Sequence, residues 1–257
     1  MKRERLDRVL VSRSVVESID EARTAIDQHH VHVNGSIAIS YSHLVAPSDE
    51  IRVVASQRYV SRGGQKLEAA LSHFEIDLIG KRVLDAGAST GGFTDCALQH
   101  GARQVVALDV GRNLLHERLI GDQRVVEISE TNVREIDQLV KNKLPNFVEL
   151  FDVVLADLSF ISLAEVMASL LVALNTNGDL ILLVKPQFEA SRLEADKGAG
   201  VITDPTIHNR VCRDVSELAT RLGCLVRGII ESPIRGHQGN IEFLLVAKYT
   251  CPANESE

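Results

Sequence analysis

Residues 84–93 read LDAGASTGGF, and the reading of this stretch decides the fold. An apolar run ends at Val83-Leu84, a glycine-rich turn follows, and DCALQHGA (95–102) has the composition of a helix. The order strand, turn, helix raises the question of what the turn holds. Gly87, Gly91 and Gly92 let backbone come close to a ligand, and the amides opening the next helix favour negative or polar groups. A dinucleotide, a phosphate or an adenosyl cofactor all suit such a turn.

The same alternation continues on either side. Candidate strands are RVLDAG (82–87), VVALDV (105–110), RVVEIS (124–129), FDVVLAD (151–157), LILLVKP (180–186), LVRGIIES (225–232) and EFLLVAKY (242–249). Helix-like segments such as LEAALSHF (67–74), LAEVMASLLVAL (163–174) and IHNRVCRDVSELATRLG (207–223) lie between most of them. Alternating strand and helix implies an α/β, Rossmann-like doubly wound sheet with helices on both faces. The last two strands are joined by SPIRGHQGN (232–240) without a helix, so an antiparallel hairpin is expected to end the sheet. That ending is typical of class I methyltransferases.

Residues 1–57 read as a separate small α+β module. In RLDRVLVSR, Leu6, Val9 and Leu10 share a helical face. Ser18 with Glu21 is a capping-box signal for a second helix. Asn34-Gly35 joins two alternating runs in VHVNGSIAI, a strong hairpin signal, and DEIRVVA supplies a last strand. Arg5-Leu6-Asp7, Ser18 with Glu21-Ala22-Arg23, and Val33-Asn34-Gly35 together resemble the αL RNA-binding module. The resemblance implies RNA contact by Arg5, Arg8, Arg23 and His32. The module is not basic overall: up to Arg52 it holds seven Lys or Arg against eight acids, so a phosphate-binding face must arise from how side chains segregate. Residues 58–65, RYVSRGGQ, read as an interdomain linker, with Arg58 and Arg62 as further RNA contacts, and residues 66–257 as the second domain.

Composition narrows the alternatives. A chain of 257 residues with 45% hydrophobic and 25% charged residues is ordinary for a globular protein. The formal net charge of −7 argues against broad, nonspecific attraction to nucleic acid. Cys96, Cys212, Cys224 and Cys251 form no Cys-x-x-Cys pair, so no metal site and no disulfide framework is expected. The N-terminus MKRERLDRVL has no apolar signal core, and runs such as LILLV (180–184) fall far short of the roughly 18 residues of a membrane span. A cytoplasmic protein without a membrane partner is expected.

The turn is D-x-G-x-x-x-G-G, and Ser89 stands where a nicotinamide-binding fingerprint has its second glycine. That weakens the case for a pyrophosphate and favours adenosylmethionine, whose charged end would lie near Asp85. Asp109 ends the next strand and suits ribose hydroxyls, with a helix N-cap as the plain alternative. Asn132 is placed on the adenine side. Four further residues carry chemistry: Lys66, Asp157 and Lys185 at strand ends or the junction, and Glu242 at the start of the last strand. Two lysines and two carboxylates beside an electrophilic methyl suit methylation of a ribose hydroxyl, whose proton must be taken. Lys185 is expected to activate the hydroxyl and Lys66 to support it. Glu242 would orient, and Asp157 would position Lys185 and face the sulfonium.

DAGASTGGFTD, ALDVG, ADLSFISL, LVKPQFE, KGAGVITDP and SPIRGHQGNIEFLL together resemble the TlyA family over nearly the whole chain. Its members are ribosomal-RNA cytidine 2′-O-methyltransferases, often called haemolysins and related to the FtsJ-type enzymes. The resemblance implies S-adenosyl-L-methionine as cofactor and a Lys66, Asp157, Lys185, Glu242 tetrad. It implies a cofactor site of Asp85, Gly87, Ser89, Thr90, Gly91, Gly92, Phe93, Asp109, Asn132 and Asp157. The implied substrate is 23S rRNA within ribosomal subunits, with 16S rRNA as a second for members resembling a longer version. Three departures stand out: Tyr59 replaces a linker tryptophan, ASRLEAD (190–196) lengthens the loop before KGAGV, and the chain stops soon after its last strand, from which action on the large subunit alone is expected. The competing readings are a non-catalytic RNA-binding assembly protein, a nicotinamide oxidoreductase and a membrane-lysing protein.

Overall fold

A computed structural model describes residues 3–53, 58–236 and 238–250. Two compact units emerge, Met1–Arg58 and Tyr59–Glu257.

The first unit opens with β1 (Glu4–Arg5), α1 (Leu6–Ser12) and α2 (Ile19–Asp27). It continues through β2 (Val31–Val33), β3 (Ser36–Ile37), β4 (Leu44–Val45) and β5 (Ile51–Val53). Leu6, Val9 and Leu10 of α1 and Ala22 and Ile26 of α2 are buried with Val31, Val33 and Val45 in one small core. The Ser18 side chain caps α2 by accepting from the Glu21 amide, and Glu21 reaches back to the Glu17 amide. Asn34 and Gly35 both take positive φ (50° and 82°), the geometry a two-residue β2–β3 hairpin needs. The expected strand DEIRVVA is shorter, Ile51–Val53; residues 54–57 lie outside the described residues.

The second unit carries α3 (Gly63–His73), β6 (Arg82–Ala86), α4 (Gly92–Gln99), β7 (Gln104–Leu108) and β8 (Val125–Ile128). Next come α5 (Ile136–Lys141), β9 (Phe151–Ala156), α6 (Leu163–Val172), β10 (Leu174–Val184) and α7 (Pro186–Glu189). The chain ends with α8 (Arg192–Lys197), α9 (Pro205–Arg221), β11 (Cys224–Glu231) and β12 (Phe243–Tyr249). Seven strands form one sheet in the order β11-β12-β10-β9-β6-β7-β8. The pairs β10–β9, β9–β6, β6–β7 and β7–β8 are parallel, while β12 runs antiparallel to both β10 and β11. The α/β sheet with its closing antiparallel hairpin is therefore the expected architecture. Apolar layers cover both faces: Leu84, Val154, Leu182 and Leu245 face one, Val83, Val153, Ile181 and Val246 the other.

Residues 59–65 are not a free linker. Tyr59 is buried in the second unit's core, the Val60 amide donates to Asp95 Oδ2 at 2.8 Å, and α3 already begins at Gly63. Gly92 lies against Ser61, Gly63 and Gly64, too close for a side chain, so the segment is seated on the start of α4. The long segment before KGAGV folds into α8, with a capping box between Ser191 and Glu194 and an Arg210–Glu194 ion pair at 2.7 Å.

Arg82, at the start of β6, is buried, and burial lowers its pKa from the usual guanidinium value. It donates to Gln104 Oε1 at 2.7 Å and to the carbonyls of Glu149 at 2.5 Å and Asn146 at 2.6 Å. Its guanidinium lies 4.1 Å from the centre of the Phe151 ring. An Arg82→Met variant keeps the packing and strands those acceptors, so the second unit should lose about 3 kcal/mol of stability. Urea unfolding followed by circular dichroism reads this directly.

Candidate active site

In an open parallel sheet the carboxyl ends of the strands meet along one crevice. Asp85 and Ala86 end β6, Asp109 follows β7, Asp157 follows β9 and Lys185 follows β10. Glu242 arrives from the opposite direction. Val184 is registered against Phe243, and one further step along that antiparallel pair sets Glu242 opposite Lys185. Lys66 comes from the second turn of α3.

The four charged residues form two ion pairs. Lys185 Nζ is 2.6 Å from Asp157 Oδ1 and donates to Ser159 Oγ at 3.0 Å. Lys66 Nζ donates to Glu242 Oε2 at 2.6 Å. Lys66, Lys185 and Glu242 are all buried. Gly236 packs on the Glu242 carboxylate, where an added Cβ would stand 2.5 Å from Oε1. A pair so deeply placed gains little stability net of desolvation.

Beside Asp157 lies a cavity of about 470 Å³, within the range of small-molecule sites. Of the expected cofactor residues, Gly87, Ser89, Asp109, Asn132 and Asp157 line it. Gly87 has φ +82° and passes so near the end of β9 that a Cβ would stand 2.6 Å from the Asp157 carbonyl. Asp109, expected as a ribose acceptor, also ties the backbone: its Oδ2 accepts from the Ser89 amide and its Oδ1 from the Gly111 amide, both at 2.8 Å. Each oxygen keeps a second lone pair for a ligand. Asn132 likewise shapes its own turn, accepting from the Arg134 amide at 3.0 Å.

Thr90, Gly91, Gly92, Phe93 and Asp85 do not line the cavity. Gly91 and Gly92 serve packing, against Leu119 and against residues 61–64, and Phe93 is a core residue. Thr90 is exposed, and its carbonyl accepts from the His116 amide at 3.1 Å. Asp85 lies fully buried behind the turn, its Oδ2 accepting from Thr94 Oγ1 at 2.6 Å and its Oδ1 without a partner among the described residues. Burial, with the Asp157 and Asp109 charges adding to it, pushes the Asp85 carboxyl up to about 7.

Several residues that pattern reading passed over belong to this region. Ser159 shares Lys185, Thr94 holds Asp85, and Thr131, Arg134 and Phe160 line the cavity. Glu189 accepts from Ser162 Oγ at 2.7 Å and from the Leu163 amide at 2.8 Å. The dense ADLSFIS and KPQFE runs signalled Ser159, Phe160 and Glu189, without telling which side chains meet, and neither run holds Thr94, Thr131 or Arg134.

In the first unit, Arg5 and Arg23 converge on buried Asp7. Arg5 donates twice, at 3.1 and 2.7 Å, and Arg23 Nε lies 3.5 Å away, with its guanidinium 5.7 Å from the centre of the Tyr41 ring. These contacts hold the Asp7 carboxyl below the usual range, Arg5 contributing most. Arg8 is exposed one residue on, while His32 is half-buried inside β2. Arg58 ends the first unit and Arg62 caps α3, so they belong to different units. Cys96, Cys212 and Cys224 form no disulfide among the described residues, and Cys251 lies outside them. No helix among the described residues is long and apolar enough to cross a membrane.

A seven-stranded sheet of this order, with a cavity at its strand ends and a glycine turn above an acid, defines a nucleoside-cofactor transferase of the methyltransferase class. A family model described as FtsJ-like methyltransferase matches residues 59–249, and one described as S4 domain matches residues 4–51. The chain belongs to the FtsJ-like methyltransferase family and carries an S4 domain ahead of the methyltransferase unit. It is 40% identical over 240 residues to hemolysin A of Brachyspira hyodysenteriae, covering 93% of this chain and 98% of that one. It is 38% identical over 247 residues to the 16S/23S rRNA (cytidine-2′-O)-methyltransferase TlyA of Mycobacterium tuberculosis, covering 95% and 89%. Among solved structures, a hemolysin-type protein of Streptococcus thermophilus superposes with a TM-score of 0.72 at 35% identity, covering 100% of this chain and 92% of that one.

An acid whose pKa is raised on folding keeps its proton in the native state after the unfolded chain has lost it. Asp85 therefore contributes stability below the ordinary aspartate range, and that contribution is lost as pH rises toward about 7. An Asp85→Asn variant should show a smaller drop in Tm between pH 5 and pH 8 than the parent, measured by scanning calorimetry without cofactor.

Proposed function

We propose that the protein transfers the methyl group of S-adenosyl-L-methionine to the 2′-hydroxyl of a cytidine in ribosomal RNA of the 23S species. What carries this reading is the tetrad: a buried Lys66–Glu242 pair and a Lys185–Asp157 pair whose carboxylate lines the cavity, in a chain similar to a ribose methyltransferase. The RNA-binding character of S4 domains supports an RNA substrate.

Bound adenosylmethionine would supply an electrophilic methyl group on a positively charged sulfur. Gly87, Ser89, Asp109 and Asn132 would hold it in the cavity, with Asp157 at the end nearer Lys185. The incoming hydroxyl must lose its proton as its oxygen meets the methyl carbon. Lys185 is the acceptor in this reading: it releases a proton of its own to solvent before the transfer and takes up the hydroxyl proton in its place. At rest the two ammonium and two carboxylate charges cancel. Lys185 can become neutral without leaving a net negative charge when a cationic ligand sits beside Asp157. Lys66, fixed by Glu242, would remain charged and steady the oxygen as negative charge grows on it. In-line placement of hydroxyl and methyl would supply much of the remaining acceleration. The arginine pair on Asp7, with Arg8, Arg58 and Arg62, would contact the RNA backbone.

The test is transfer of labelled methyl groups to unmethylated 30S, 50S and 70S particles, followed by digestion to nucleosides. Label should appear in 2′-O-methylcytidine. Lys185→Ala should lower the rate by about a thousandfold or more yet still bind adenosylhomocysteine. Wild-type turnover in that variant, or no label in any particle despite cofactor binding, would overturn the reading.

A further inference from the structure

The loop 157–162 between β9 and α6 contributes Asp157, Leu158, Ser159, Phe160 and Ile161 to the cavity wall. Phe160 stands in the left-handed region with φ +65° and is 90% exposed. A bulky residue held there costs on the order of 1–3 kcal/mol and persists only where its surroundings over-determine it. At one end of the loop, Lys185 binds Asp157 and Ser159. At the other, Glu189 accepts from Ser162 and from the Leu163 amide. Between them the Phe160 ring lies 5.3 Å from that of Phe188. Every anchor on the far side comes from the five residues Lys185 to Glu189.

The two anchors are not equivalent. To accept a proton from substrate Lys185 must be neutral, which reduces its ion pair with Asp157 to an ordinary hydrogen bond, so its hold on the loop weakens before the reaction. Glu189 faces no substrate in its present contacts: both carboxylate oxygens are engaged by the start of α6. Burial holds its carboxyl above the usual carboxylate range, against the opposing pull of the Leu163 and Ser162 donors. Glu165, the other charged group facing it, lies one turn into α6 and is itself paired with Arg134 at 2.5 Å.

We propose that Glu189 is a positioning residue: it clamps the 157–162 loop to the α7 arm, so that the Lys185 anchor can weaken without the cavity wall opening. The role rests on the methyl-transfer reading for its purpose, while the clamp itself concerns loop and cofactor alone.

Glu189→Gln keeps an acceptor for the Leu163 amide and can donate to Ser162, whereas Glu189→Ala loses both contacts. In Glu189→Ala, kcat for methylation of ribosomal particles should fall about tenfold with KM for the particle within about twofold. Affinity for adenosylhomocysteine should drop about fivefold, and amide hydrogen exchange should quicken within residues 158–164 alone. Glu189→Gln should recover most of each loss. Ser162→Ala removes one contact, so it should shift the same readouts less and add nothing on top of Glu189→Ala. It also keeps the test open if Glu189→Ala folds poorly. Unchanged cofactor affinity and loop exchange in Glu189→Ala would sink the proposal. So would equal damage from Gln and Ala, or a Ser162→Ala effect that adds fully to Glu189→Ala. If the parent protein methylates no particle, the reaction reading fails, while affinity and exchange still decide the clamp.

Discussion

Two lysine ammonium groups cannot sit buried at the rim of an apolar sheet without partners, and the catalytic unit is arranged around providing them. Asp157 and Lys185 end neighbouring parallel strands, which fixes one pair. The second depends on the antiparallel return of β12, which delivers Glu242 to the same rim from the opposite direction. A sheet of parallel strands alone would send that carboxylate to the far edge. The closing hairpin is thus a chemical requirement as much as a way to finish the sheet. Gly236, pressed on the Glu242 carboxylate, and Asn240, whose side chain binds the Ile202 amide at 2.9 Å and the Gly200 carbonyl at 2.8 Å, tie the hairpin loop to the KGAGV segment.

The glycines of the cofactor turn divide their labour in a way that a motif does not reveal. Gly87 permits a close crossing of β6 and β9, and only it among the three lines the cavity. Gly91 and Gly92 make room for Leu119 and for the segment Ser61–Gly64. Asp95, in the same GGFTD run, holds the Val60 amide. The turn is therefore braced from behind by the chain entering the methyltransferase unit.

How much of this was legible in the sequence depends on the range of the interaction concerned. Strands such as FDVVLAD and LILLVKP announce themselves because parallel strands buried on both faces are continuously apolar. The Asn34-Gly35 hairpin and the Ser18 cap are equally local, and they form as read. The tetrad residues stood out because charge interrupts apolar runs, but nothing in the sequence pairs Lys66 with Glu242 across 176 positions. The linker reading failed at Tyr59 because an aromatic beside Gly and Arg looks solvated until the pocket that buries it is known. Asp85 was assigned to the ligand and Glu189 to nothing, since depth beneath a loop has no one-dimensional signature.

Asp109 carries a consequence for how such a site can change. Its two oxygens already tether the Ser89 turn to the Gly111 turn before any ligand arrives. Scaffolding is thus written into a side chain that also faces the cavity. A lineage drifting toward a different nucleoside could not trade this acid for another side chain without first finding a new way to close both turns. Its freedom to diversify lies instead in the neighbours that line the cavity without holding it up, such as Val110 and Leu114.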